Sequence, residues 1–220
     1  MLDTYSPSWM TEDLEIFKDA VNKFYTREFV PHSDRWTKEG IVDRDAWYKA
    51  GEAGILCASI PEEYGGGGGT YAHEAILTEE MERCGWRALV IRCIRSSARI
   101  ISMPMGPKNK TQMVAQNGDR RACLRDCDDR AGTGSDLQSV KTRATKQGNQ
   151  YVINGSKTFI TNGQHADLII VVAKTDPEQG AKGISLMIVE TAEADGFRRG
   201  RNLDKMGQHA ADTSELFLMM

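Results

Sequence analysis

The sequence has no long hydrophobic run and no strong excess of charge of either sign. No apolar segment approaches the roughly 20 residues that a membrane-spanning helix needs. The N-terminal segment MLDTYSPSWMTEDLEIF lacks the basic-then-apolar order of a signal peptide. The net charge of −3 gives no reason to expect nucleic acid or an anionic membrane as a partner. These absences predict a cytoplasmic protein without a membrane span.

Cysteine is also scarce, and the five that are present form no recognisable framework. There is no CxxC pair, and an odd number argues against a set of disulfides. Cys123 and Cys127 could form a metal pair, but no set of His and Cys partners accompanies them. The histidines are scattered, which favours surface or internally bonded side chains over a metal site: His32, His73, His165 and His209.

The first third of the chain has a helical pattern. Thr11 is predicted to cap a helix whose apolar stripe is Leu14, Phe17, Val21 and Phe24. Asp45 is predicted to cap a second helix, AWYKAGEAG. A third helix, YAHEAILTEEMERCG, would turn four apolar residues inward (Ala72, Ile76, Leu77, Met81) and three glutamates outward (Glu79, Glu80, Glu82).

The last third of the chain changes to a strand pattern. YVINGSKTFITNG alternates around Asn154 and Gly155, which predicts a hairpin turn at this pair. LIIVVAKT and GISLMIVE are nearly continuous apolar runs, separated by the turn-rich DPEQGAKG. Helices followed by an antiparallel β unit predict an α+β fold with two segregated parts. Residues 88–130 between them show no sustained period, which is unusual for a compact domain.

Two other features could be interpreted as binding sites, but the residues that such sites need are missing around them. The glycine run at 65–69 could hold a phosphate, but the following helix has no Lys-Ser/Thr pair, so a flexible turn between helices is favoured. The basic residues between Arg87 and Lys110 could contact nucleic acid. They have no interleaved aromatic residues and no known binding module around them.

AGTGSDL is the better candidate for a ligand site. Its glycines let main-chain amides approach a polar ligand, and Thr133 and Ser135 add hydroxyl groups. About twenty residues later, Phe159, Ile160 and Thr161 offer a ring, an apolar contact and a hydroxyl near a turn. The alternative for Phe159 is a place in the hydrophobic core.

Together these segments resemble the acyl-CoA dehydrogenase family, flavoenzymes that desaturate acyl-CoA thioesters. AGILCASIPEEYGGGGG and HEAILTEEMERCG are similar to its N-terminal helical domain. GTGSDLQSVKTRA, YVINGSKTFITNGQHADLIIVVAKTDP, GISLMIVE and GFRRGRNLDKMGQHAADTSELF are similar to its central β domain. The resemblance implies a helical domain at 1–121 and an antiparallel, barrel-like β domain at 122–220. It also implies a C-terminal helical bundle, before which the chain is expected to be truncated.

The resemblance also suggests a hypothesis for the unpatterned middle segment. In the family, text similar to AIAMTEP precedes GTGSDL, whereas this chain has LRDCDDRA. With permitted codons read one base later, residues 113–131 give WLPKMATGELVFAIAMTEP. MGPKNK read from third bases gives GTEEQ. We therefore expect residues 88–121 and 122–131 to be out of frame, and the tail SELFLMM to carry a similar shift.

The resemblance implies FAD as the cofactor and acyl-CoA as the substrate, in fatty-acid oxidation. An electron-transfer flavoprotein would be the electron acceptor, and the intact protein would be a dimer or tetramer. The residues that would hold FAD are Gly132, Thr133, Gly134, Ser135, Phe159, Ile160 and Thr161, with Ser135 also near the CoA. Phe159 would pack on the flavin and Thr161 would bond near its reactive nitrogen.

Two departures from the family pattern change what this chain is expected to do. Asp129 stands where the loop's threonine is expected, so an acid would face the flavin. The family's catalytic glutamate belongs to the C-terminal bundle, so no residue here is assigned that role. We expect an acyl-CoA dehydrogenase by descent that is inactive as written. The alternatives are a non-catalytic flavin- or CoA-binding remnant, and a translation artefact that never accumulates as folded protein.

Overall fold

The computed structural model describes residues 7–85, the backbone of 124–127, and residues 139–219. The chain divides into two compact units, Met1–Arg121 and Ala122–Met220. In the described residues the first unit contains helices and the second contains the sheet. The predicted α+β class, with helices before strands, is confirmed.

Four α-helices form the described part of the first unit: α1 (Glu12–Glu28), α2 (Ser33–Glu39), α3 (Arg44–Glu52) and α4 (Tyr71–Arg83). Short 3-10 helices lie at Val30–His32 and Glu62–Tyr64. The Thr11 hydroxyl accepts a hydrogen bond from the Leu14 N–H at 3.4 Å, so the predicted cap of α1 is confirmed. Asp43, rather than the predicted Asp45, precedes the first turn of α3. No described helix is long and apolar enough to cross a membrane.

An aromatic cluster closes the core of this unit. The Phe29 ring stacks on Tyr25 at 5.4 Å between centroids and meets the edges of Phe24 and Trp36. The Tyr25 hydroxyl donates to the Leu77 carbonyl on α4, which ties α1 to α4. Each aromatic partner buries a large apolar area, so this cluster fixes how the helices pack.

Glu80 corrects one predicted helix face. It was expected to point outward from α4, but it is only 2 % exposed. The Asn22 amide on α1 donates to its carboxylate at 2.7 Å, and Arg83 lies 3.5 Å from the other oxygen. Partners of this kind reduce the cost of burying a carboxylate, and a helical period alone cannot reveal them.

The glycine run is a tightly packed turn. The N–H groups of residues 66, 67, 68 and 69 donate to the carbonyls of Pro61, Cys57, Ile60 and Ala58. A Cβ at Gly66 would lie 2.3 Å from the Ile60 oxygen, so only glycine fits there. The turn between helices is as predicted, but its amides are used internally and are not available to a phosphate.

The second unit is a seven-stranded mixed sheet. Its strands are β1 (Leu124–Cys127), β2 (Arg143–Gln147), β3 (Gln150–Thr161), β4 (Leu168–Lys174), β5 (Ile184–Glu190), β6 (Phe197–Asn202) and β7 (Thr213–Met219). The order is β1-β4-β2-β3-β7-β6, with β5 also paired to β4. The pairings are antiparallel except for β1 with β4 and a single parallel bridge between β2 and β4. Residues 124–127, in the segment expected to be out of frame, thus form a paired strand, β1.

The predicted turn at Asn154 and Gly155 is wrong. Both residues lie inside β3, and the hairpin turn is instead at Gly148, with φ of 61°, and Asn149. A Cβ at Gly155 would lie 2.3 Å from the Thr142 hydroxyl. Gly155 is therefore needed for a close approach between segments rather than for a turn.

One apolar layer of the sheet supplies the core of this unit. It is built mainly from alternate residues of β4 and β7 and from two residues of β3, in agreement with the predicted apolar run at β4. Its members are Ala144, Ile153, Ile160, Ala166, Ile169, Val171, Ala173, Val189, Leu216 and Leu218. Ile160, one of the predicted site residues, thus belongs to this core layer.

Candidate functional site

The most unusual backbone in the sheet lies at Phe159. The register of β3 against β7 shifts between Lys157 and Ile160, and we call these residues, 157–160, the β3 bulge. Phe159 has φ of 62° and is 54 % exposed. A bulky residue in this region costs on the order of 1–3 kcal/mol, and such strain is concentrated at functional sites. The bulge leaves an aromatic ring exposed between two buried residues of β3, Lys157 and Ile160.

Buried anchors on either side explain why the ring is displaced. The Lys157 side chain is fully buried, and its Nζ donates to the Val172 carbonyl on β4 at 2.9 Å. Ile160 is 2 % exposed and belongs to the core layer. Because both neighbours are fixed inward, the extra length of the bulge is taken up at residues 158 and 159. Phe159 is therefore a surface ring and not a core residue, which decides the alternative left open by the sequence.

Thr161 follows as the last residue of β3. It is half-buried and pairs with Thr213 of β7. Phe159 and Thr161 are two residues apart, and the ladder resumes between them at Ile160. An exposed ring and a half-buried threonine are thus held on a backbone that the neighbouring strand fixes.

The turn after β3, residues 162–165, was missed as part of the site by the sequence analysis. Asn162 has φ of 58° and is fully buried. Within the described residues neither atom of its side-chain amide has a hydrogen-bond partner. Asparagine tolerates positive φ better than most residues, so the Asn-Gly pair at 162–163 is a signal that could have predicted this turn.

Asp212, the residue just before β7, is hydrogen-bonded to this turn. Its carbonyl accepts from the Asn162 N–H at 3.0 Å, and its carboxylate accepts from the Gln164 N–H at 2.8 Å. Asp212 is 1 % exposed. Burial raises the pKa of its carboxyl group, while the Gln164 N–H, His165 and Lys205 act in the opposite direction. Nothing in the sequence pattern distinguished this aspartate from a surface one.

Further donors secure the same turn. The Gln164 side-chain amide donates to the Gly200 carbonyl at 2.9 Å and to the Ser214 hydroxyl at 2.8 Å. The Arg199 guanidinium donates to the Gly163 carbonyl at 3.2 Å and to the Ala166 carbonyl at 2.8 Å. Residues from β6 and β7 therefore immobilise the turn on which the β3 bulge ends.

The other predicted site residues lie outside the described residues. These are Gly132, Thr133, Gly134 and Ser135, together with Asp129. Of the predicted set, Phe159, Ile160 and Thr161 lie within the described residues. In the described segments there is no group of three or more His, Cys, Asp or Glu side chains placed to hold a metal ion.

Comparison with known proteins identifies the family. Residues 11–103 match the model "Acyl-CoA dehydrogenase, N-terminal domain", and residues 130–219 match "Acyl-CoA dehydrogenase, middle domain". The chain belongs to the acyl-CoA dehydrogenase family. Residues 104–129 lie between the two matches, inside the segment predicted to be out of frame, whereas residues 88–103 are part of the first match. The frame hypothesis stays a prediction.

Individual relatives agree with this assignment. The chain is 38 % identical over 206 residues to the mitochondrial long-chain specific acyl-CoA dehydrogenase of Mus musculus, covering 92 % of this chain and 48 % of that protein. It superposes on an acyl-CoA dehydrogenase from Geobacillus kaustophilus with a TM-score of 0.91 at 37 % identity, covering 97 % of this chain and 57 % of that one.

A second solved structure is similar as well. A chain in the structure of the electron transferring flavoprotein of Acidaminococcus fermentans gives a TM-score of 0.88 at 33 % identity, covering 97 % of this chain and 56 % of that one. The present chain spans about half the length of the curated relatives it matches.

The described residues fit a flavin at the β3 bulge. An isoalloxazine has an apolar face and polar edges, and the bulge presents an exposed ring followed by a hydroxyl. Asp212, the buried acid beside the turn, has no surface from which to touch a ligand. What the site offers is therefore stacking and neutral hydrogen bonding on a fixed backbone.

Proposed function

We propose that this chain is the flavin-facing part of an FAD-dependent acyl-CoA dehydrogenase, which introduces an α,β double bond into acyl-CoA thioesters during fatty-acid oxidation. The observation that carries the proposal is Phe159, an exposed ring at positive φ on a bulge. Membership of the family supports the same function, and the relative from Mus musculus is named as a long-chain specific enzyme.

Phe159 and Thr161 have separate roles in this proposal. The Phe159 ring packs against the flavin and excludes water from one side of it. The Thr161 hydroxyl bonds near the reactive nitrogen. When bound, FAD supplies the acceptor for the β-hydrogen of the acyl chain, which leaves as hydride while a base takes the α proton. We assign no residue of this chain as that base.

The glycine-rich loop completes the proposed cofactor site. We propose that Gly132, Thr133 and Gly134 hold the flavin ring and ribityl chain through their backbone and hydroxyl groups. Ser135 would serve both FAD and the CoA part of the substrate. Ile160 contributes as the buried anchor of the β3 bulge, since its side chain is only 2 % exposed.

The proposed partners follow from the same function. Electrons from the reduced flavin would pass to an electron-transfer flavoprotein, and a chain in a solved structure of such a protein is similar to this one. We also propose that the intact enzyme is a homo-oligomer. Cytoplasmic localisation stays a prediction from the sequence, and the relative from Mus musculus is described as mitochondrial.

A second candidate is flavin or CoA binding without dehydrogenation. The observation that favours it is the chemistry of the β3 bulge, which supplies the exposed Phe159 ring and the Thr161 hydroxyl. These groups can bind a flavin but cannot remove a proton from a bound substrate. If this candidate is correct, FAD binds, but an acyl-CoA does not reduce it.

FAD titration tests the binding step. The chain should quench or shift flavin fluorescence with a defined Kd. Phe159→Ala should weaken FAD binding about two- to ten-fold, since a ring contact of this kind contributes about 0.5–1.5 kcal/mol. Tyr151→Ala is the matched control, because Tyr151 is an exposed ring on the same strand and far from the bulge in sequence. Equal Kd values for both variants would contradict the assignment of Phe159.

Reduction by substrate distinguishes the two candidates. The FAD-loaded chain is mixed anaerobically with acyl-CoAs of short, medium and long chain, and the flavin absorbance is followed. Bleaching supports dehydrogenation and reports the preferred chain length, whereas tight FAD without bleaching supports the binding role. Resequencing the gene across residues 86–132 and past Met220 tests the frame hypothesis separately.

A further inference from the structure

Asp212 occupies the step of the ladder that follows the flavin-facing residues. Thr161 of β3 pairs with Thr213 of β7, and the next pair along is Asn162 with Asp212. Here the Asp212 carbonyl accepts a hydrogen bond from the Asn162 N–H. This bond extends the β3–β7 pairing by one residue beyond Thr161, the last residue of β3. The position of Asp212 therefore bears on the backbone at the end of the site.

The carboxylate of Asp212 makes a second bond to the same turn. Its oxygen accepts the Gln164 N–H at 2.8 Å, two residues after the main-chain bond. Gly163, between these points, donates to the Ile160 carbonyl at 3.2 Å. Three consecutive residues of the turn are thus hydrogen-bonded, two of them to one aspartate. Rotation at Asn162, whose φ is 58°, would break both of the Asp212 bonds.

The surroundings of Asp212 only partly favour the charged form of its buried carboxyl group. Burial raises the pKa of its carboxyl group, which means that the charged form is costly. The Gln164 N–H, His165 and Lys205 each favour the charged form. Lys205 directs its Nζ to the Ala211 carbonyl, next to Asp212 in the chain. A neutral acceptor of the same shape would avoid the cost and keep the bond to Gln164.

We propose that Asp212 is a positioning residue, which fixes the 162–165 turn and thereby the orientation of Phe159 and Thr161 toward the flavin. The expected effect on FAD binding rests on the proposed function, which assigns Phe159 and Thr161 to the FAD site. Asp212 is 1 % exposed and does not touch the ligand itself. Its effect on binding passes through the backbone.

The test compares three variants of Asp212 in the full chain. Asp212→Asn keeps the shape and the acceptor without the charge. Asp212→Glu keeps the charge but displaces the acceptor, and Asp212→Ala removes it. Asp176→Ala is the matched control, because the Asp176 carboxylate also accepts a main-chain N–H, that of Glu178, but in the turn between β4 and β5. Hydrogen exchange of residues 158–166 is measured beside that of β4 and β5, together with the Kd for FAD.

We expect amide exchange at 158–166 to be about ten-fold faster or more in Asp212→Ala and Asp212→Glu, and FAD binding to be weaker by a similar factor, since each variant leaves the Gln164 N–H without its acceptor. Asp212→Asn and Asp176→Ala should resemble the unmodified chain both in exchange at 158–166 and in the Kd for FAD. Should Asp212→Ala not fold, the contrast between Asp212→Glu and Asp212→Asn still decides the matter.

Two outcomes would overturn the proposal. One is unchanged exchange at 158–166 in a folded Asp212→Glu chain. The other is an equal rise in exchange over β4 and β5, which would mean that Asp212 contributes only to overall stability. If the unmodified chain bound no FAD, the proposed function would fail, while the exchange measurement would still establish whether Asp212 positions the turn.

Discussion

Replacing Phe159 by alanine and by glycine separates the strain of the β3 bulge from the role of the ring. Both variants remove the ring, so they differ only in backbone preference. Alanine at φ of 62° retains the left-handed strain, about 1–2 kcal/mol for an L-residue. Glycine relieves that strain but is costlier to order in a strand by about 0.5–1 kcal/mol. Glycine should therefore be the more stable variant by about 0.5–1 kcal/mol.

Tyr151 supplies the matched comparison. It is an exposed ring on the same strand, and its φ is not positive. At this position alanine should be more stable than glycine by about 0.5–1 kcal/mol, the usual order for a strand. The preference should thus reverse between the two sites, with a total difference of about 1–2 kcal/mol.

Urea unfolding of the four variants, followed by far-UV circular dichroism, measures the reversal. All four chains should unfold with similar m-values, so midpoints can be compared directly. The reasoning fails if alanine is as stable as glycine at position 159, or if glycine is also preferred at 151. FAD titration of the two Phe159 variants should give similar Kd values, because stacking depends on the missing ring and not on the strain.

Three further predictions concern the rest of the structure. Thr11→Ala should lower the free energy of unfolding by about 0.5–2 kcal/mol, with Thr11→Ser close to the unmodified chain, as measured by urea unfolding. Gly66→Ala should cost about 1–3 kcal/mol because its Cβ meets the Ile60 carbonyl, whereas Gly207→Ala, in open space, should be nearly neutral in thermal unfolding. The pKa of Asp212 is raised in the folded chain above its ordinary value of 3.8. The protonated carboxyl group therefore stabilises the fold fully below pH 3.8, and this stabilisation is lost as the pH rises through the raised pKa. Asp212→Asn should therefore gain stability relative to the unmodified chain across that window in urea midpoints from pH 3 to 8, and a constant difference would contradict this.

Much of the architecture could be predicted from local patterns. The cap at Thr11, the buried stripe of α1 and the apolar runs of β4 and β5 depend on neighbours in the sequence, and the structure has them where the patterns place them. Phe159 and Thr161 were also singled out from the sequence, and both lie within the residues that match the family's middle domain. Their place in an FAD site stays a prediction.

The errors came where distant contacts override a local signal. Asn154 and Gly155 form a favourable turn pair, yet Gly155 lies against Thr142 and the strand continues. Glu80 follows the polar face of α4, yet Asn22 on α1 draws it inward. In each case the partner is a residue far along the chain or outside the local pattern, so no local period contains it.

The sequence by itself determined the order of helices and strands, the family motifs and the residue types available to a ligand. Only the tertiary structure decided that Phe159 faces outward, because this depends on the register of β3 against β7 and on the burial of Lys157 and Ile160. It also decided the role of Asp212, since the bonds from Asn162 and Gln164 join segments about fifty residues apart. Side-chain chemistry is encoded locally, whereas its direction and its hydrogen-bond partners are set by which strands come together.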